Sequence, residues 1–127
     1  MKYLSLNLNP SEKRSSDCVV RAICGATNKS WEEVYDDLCK IGREIKDMPN
    51  AKRVWTSYLE KIGWKKQRMP RFPDNTRYTI EEFAEEKQKG IFIISIANHL
   101  TYIEDGTLVD TWDCSYKSVG NYWTLNS

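Results

Sequence analysis

The chain reads as an α+β fold in which helices come first and a run of antiparallel strands follows. Three observations predict it. Ser30-Trp31-Glu32-Glu33 and Thr79-Ile80-Glu81-Glu82 are both capping-box signatures that open helices. The run Ile91 to Ala97 is rich in branched apolar residues and has the length of a buried strand. Asp105-Gly106, a pair suited to a tight primed turn, separates His99–Glu104 from Thr107–Trp112 and predicts a hairpin.

Taken in order, residues 1 to 16 carry a short apolar alternation at Tyr3, Leu4, Leu6 and Leu8, then turn residues from Pro10 to Arg14. This predicts a loose or strand-like arm and a loop. Ser15, Ser16 or Asp17 is placed to cap a first helix that begins near Cys18 and stops at Thr27-Asn28. Its apolar residues Val19, Val20, Ala22, Ile23 and Ala26 face several sides, which predicts a central position. The second helix carries Trp31, Val34, Tyr35, Leu38, Ile41 and Ile45 as one stripe. A third spans Ala51 to Lys61, with Gly63 as its stop. Trp64 to Met69 reads as a short strand, and Pro70, Pro73, Asp74 and Asn75 as a surface loop. The short helix after Thr79 ends near Gly90, and Val119 to Leu125 supplies a last strand. The 127 residues are expected to form one domain, with the helical first half packed on an antiparallel sheet made by the second half.

The totals exclude several functions. Nineteen basic and eighteen acidic side chains give a net charge of +1, which argues against nucleic-acid binding by a broad positive field. No run approaches the roughly 20 apolar residues of a membrane span. The N-terminus lacks the apolar stretch of a signal peptide, so a cytoplasmic, reducing location is expected. There Cys18, Cys24, Cys39 and Cys114 are thiols. Without a CxxC, and with one histidine, a closed zinc site is disfavoured. Neither a metal nor an organic cofactor is expected.

Chemistry concentrates at Cys18 and at His99, the lone histidine. A thiol at a helix N-terminus sits in the positive end of the helix dipole, which favours thiolate. An imidazole distant in sequence but near in space is the usual partner of such a nucleophile. If Asp105-Gly106 is a two-residue loop, Glu104 faces Thr107 and His99 faces Trp112. Asp110 is then a diagonal neighbour of His99, about 7–8 Å away between backbones and within side-chain reach. A carboxylate there fixes the tautomer and stabilises the imidazolium, while Trp112 covers the pair. A one-residue slip would replace Asp110 with Thr111 or Asp113. The competing readings are a buried core thiol and a structural histidine. The basic stretch Lys61 to Arg77 reads as a solvated face.

Asp17-Cys18 at a helix start, Asn98-His99-Leu100, and the segment Gly106 to Asp113 together resemble the papain-like cysteine peptidases, most of all small bacterial and phage-encoded members. The likeness covers residues 16 to 26 and 91 to 114. It implies a papain-like fold with Cys18 as nucleophile, His99 as base and acid, and Asp110 as the orienting group. It also implies a protein or peptide substrate. In that family the oxyanion is held by the nucleophile's own N–H and an upstream Gln or Asn side chain. No Gln precedes Cys18, so Asn9 is the upstream candidate and Asn98 a second. This departure motivates an alternative: a scaffold without turnover that binds or inhibits a protein partner.

Overall fold

The computed structural model describes residues 1–125. It contains four helices and six strands among them: β1 (Lys2–Ser5), α1 (Cys18–Thr27), α2 (Trp31–Ile45), α3 (Lys52–Lys61), β2 (Trp64–Gln67), α4 (Ile80–Glu86), β3 (Ile91–Ile96), β4 (His99–Glu104), β5 (Thr107–Asp110) and β6 (Tyr122–Leu125). The strands form one sheet in the order β1-β5-β4-β3-β6-β2. The class is α+β.

The sheet differs from the expectation of an antiparallel sheet drawn from the second half of the chain. It is mixed, because β1 runs parallel to β5 with Ser5 against Asp110. Two of its strands, β1 and β2, precede residue 70, and they occupy the two edges. The reason is local. Each is four residues long, and outer strands tolerate the exposed Leu4 and Lys65 that a central strand would not. Strand β5 also stops at Asp110, short of the expected Trp112.

Period-two alternation divides the core between the faces. Ile93, Leu100, Tyr102, Val109 and Trp123 pack with α1, α2 and α3. Ile94, Ile96, Ile103 and Leu108 pack with α4, Cys114 and Val119. Helix α1 lies close over β4: a Cβ added at Gly25 would come within 2.3 Å of the Tyr102 ring. That close approach brings the start of α1 to the start of β4.

The capping box at α4 is complete, with Thr79 and Glu82 each accepting from the other's backbone N–H. At α2, Ser30 accepts from the Glu33 backbone. Val34, Leu38 and Ile41 form the buried stripe, whereas Tyr35 and Ile45 are exposed. Tyr35 instead stacks on Trp31, with centroids 5.0 Å apart. No helix is long and apolar enough to cross a membrane among the described residues.

Candidate active site

The hairpin sets the site. Asp105 and Gly106 both take positive φ, as a primed two-residue turn requires. Glu104 then pairs with Thr107, Ile103 with Leu108 and Tyr102 with Val109. This register carries Asp110 to His99, whose Nε2 lies 2.6 Å from Asp110 Oδ2. The His99 side chain also meets the Cys18 thiol. The Cys18 thiol stands half-buried at the first residue of α1 and within interaction reach of the His99 side chain and the Leu100 backbone.

Neighbouring charges perturb each of these groups. Burial of Cys18 opposes thiolate, but hydrogen bonding to His99 and Leu100 and the positive charges of His99 and Arg21 outweigh it, so the thiol is lowered from its ordinary value. Burial likewise opposes charge on His99, yet its contacts with Asp110, Cys114 and Cys18 raise it to about 11. Asp110 is held below the usual carboxylate range: burial resists, and hydrogen bonding to the His99 imidazolium prevails. Cys24, two turns along the same helix, is pushed up to about 11 by burial. Ionisation is therefore eased at Cys18 and opposed at Cys24.

None of the expected cap residues closes α1 with a side chain. The Asp17 carboxylate, 7% exposed, instead accepts from Asn9 Nδ2 (3.0 Å), Trp31 Nε1 (3.0 Å) and Arg21 Nε (2.8 Å). Arg21 continues to Asp110 Oδ1 at 3.1 Å. A chain of alternating charge thus runs from Asp17 through Arg21 and Asp110 to His99 and Cys18. The first turn of α1 keeps its N–H groups free of side-chain caps, including that of Cys18.

The N-terminal arm fixes Asp110 from behind. Tyr3 Oη and the Leu6 N–H both donate to the Asp110 carbonyl, at 3.2 and 3.0 Å. The Thr111 N–H donates to Oδ1 at 2.7 Å. Fully buried Cys114 places its sulfur 3.8 Å from Asp110 Oδ2.

The proposed site residues therefore fall into two groups. Cys18, His99 and Asp110 come together, with the Trp112 ring 5.2 Å from the imidazole and 37% exposed. Asn98 is exposed, takes a left-handed φ of 56° in the β3–β4 turn, and lines a groove of about 460 Å³ with Cys18 and His99. Asn9 is buried, its Nδ2 donating to Asp17 and its Oδ1 accepting from the Ser11 N–H. It touches Asp17 and does not line the Cys18 groove.

Sequence reasoning missed Arg21, Asp17, Trp31 and Cys114. The i,i+4 spacing of Asp17 and Arg21 is a readable signal, because such pairs meet on a helix face. Nothing in the sequence links Arg21 to Asp110. His99, Asp110 and Cys114 present ligand atoms within 4.8 Å of one another, which is enough to offer a metal ion three ligands. All four cysteines are free thiols. In comparisons with family models, curated proteins and solved structures, no match to this chain is found.

Proposed function

We propose that the chain is a cysteine hydrolase of papain-like kind, acting on an amide, isopeptide or thioester bond of a protein or peptide. The observation that carries this reading is the line of Cys18, His99 and Asp110, with the 2.6 Å Nε2–Oδ2 contact at one end and a groove-facing thiol at the other. Perturbed thiol and imidazole in one cleft are what nucleophilic catalysis requires.

In the proposed reaction the Cys18 thiolate attacks the carbonyl carbon and the electron pair moves to oxygen. The Cys18 N–H, unclaimed by a cap, and the exposed Asn98 amide are the candidate donors to that oxyanion. The tetrahedral species collapses as the His99 imidazolium protonates the leaving nitrogen or sulfur. Neutral His99 then takes a proton from water, whose oxygen attacks the thioester, and the acid leaves as Cys18 regains its thiolate. Asp110 keeps the imidazole oriented throughout.

Iodoacetamide near neutral pH, followed by peptide mapping, tests the nucleophile. Cys18 is expected to react faster than Cys24 and Cys39, and equal rates would refute its activation.

A second reading, a non-hydrolytic scaffold that binds or inhibits a partner, is supported by the commitment of Asn9 to Asp17, which leaves the upstream oxyanion donor unfilled. Cys18→Ala separates the two, since a binder keeps its biological effect and an enzyme loses it.

A further inference from the structure

The groove holding Cys18 and His99 continues past the β3–β4 turn. Lys52, Ser95 and Ile96 line both the Cys18 groove and an adjoining one of about 420 Å³. The second groove is also bounded by Arg77, Lys117 and Gly120. Gly120 allows this path: its N–H donates to the Ser95 carbonyl at 2.7 Å, and a Cβ there would sit 2.9 Å from that oxygen.

The charges along this extension have one sign. Lys52 at the start of α3, Arg77 in the loop before α4 and Lys117 before β6 are all exposed, and no Asp or Glu lines either groove. Among the described residues none of the three forms an ion pair; Lys117 only lies over the Tyr116 ring, 5.3 Å from its centroid. The nearly neutral composition makes this segregation local rather than global. The first turn of α3 adds to it, for it has no acidic residue and no side-chain cap, unlike α2 and α4. Three unpaired cations converging on the outlet of a nucleophile's groove complement a negative segment.

We infer that the substrate of the Cys18 site is an acidic peptide segment, whose carboxylates lie along Lys52, Arg77 and Lys117 while the reacting carbonyl reaches Cys18. This rests on the hydrolase reading for the role of Cys18, but the recognition surface is tested separately.

The probes are two chloroacetyl peptides, chloroacetyl-Gly-Glu-Glu-amide and chloroacetyl-Gly-Gln-Gln-amide, and the readout is the alkylation rate of Cys18 by mass spectrometry. In the native chain the Glu probe is expected to react about tenfold faster at low salt, the advantage shrinking as salt rises. In K52Q/R77Q/K117Q the ratio should approach one, the Glu probe's rate falling to that of the Gln probe. All three positions are exposed, and iodoacetamide reactivity and circular dichroism report on the fold of the variant. A native ratio near one, or a ratio that survives the triple substitution, overturns the inference. Failure of iodoacetamide to select Cys18 would instead sink the hydrolase reading and leave the probe ratio to judge the groove.

Discussion

Arg21 and His99 hold opposite oxygens of one carboxylate: Arg21 Nη1 lies 3.1 Å from Asp110 Oδ1, and His99 Nε2 lies 2.6 Å from Oδ2. The orienting acid of the candidate triad is therefore also half of an ion pair with the helix that carries the thiol. Arg21 ties Cys18 to Asp110 mechanically, and its charge favours both the ionised acid and the thiolate.

Arg21→Met removes the counter-ion of two largely buried carboxylates, Asp17 and Asp110. Breaking such a pair from one side costs about 3–5 kcal/mol. Urea unfolding should show that loss, with Arg21→Lys recovering part of it, since one ammonium cannot reproduce a fork spanning two acids. A loss under about 1 kcal/mol would mean that the network contributes little.

The pH dependence of Cys18 alkylation follows from its lowered value. An acid whose folded value is depressed stays ionised further down the scale, so the rate should hold below the usual thiol region of about 8.5. His99→Ala should return the inflection upward. An unchanged profile would show that His99 does not activate the sulfur.

Stability should have two pH limits. His99 is raised to about 11, so its contribution is fully present below its unfolded value of about 6.5 and fades as pH climbs towards 11. Asp17 and Asp110 are lowered, so theirs is present above about 3.9 and lost as pH falls through their folded values. Thermal unfolding across pH should decline at both ends, and Asp110→Asn should flatten both limbs.

Gly25→Ala tests the placement of α1. The new methyl would meet the Tyr102 ring at 2.3 Å and Leu8 at 2.7 Å, so helix or ring must shift. Overpacking of this kind costs about 1–3 kcal/mol. A Cys18 alkylation rate that drops along with stability would place the helix–strand contact in control of the Cys18–His99 approach.

Zinc offers a check on the His99, Asp110 and Cys114 cluster. Added Zn²⁺ should slow Cys18 alkylation by taking the imidazole nitrogen, and Cys114→Ser should weaken that effect. Stoichiometric zinc in the purified protein would favour a metal site over an imidazole base.

Much of this architecture is carried by short-range signals. The Thr79–Glu82 box, the stop of α1 at Asn28 with its left-handed φ of 58°, and the Asp105-Gly106 turn all act within a few residues. The turn is the most informative, because a two-residue loop fixes register and register delivers Asp110 to His99.

By itself, then, the sequence determined the helices, the caps of α2 and α4 and the hairpin pairing, since each depends on neighbours a few positions apart. Only the tertiary structure decided the parallel pairing of β1 with β5, the Arg21–Asp110 contact across 89 positions, and the use of Asp17 as a hub instead of a cap. These rest on which side chains meet once α1 settles over β4. A buried charge takes whatever partner that packing brings within reach, and no local pattern along the chain records the choice.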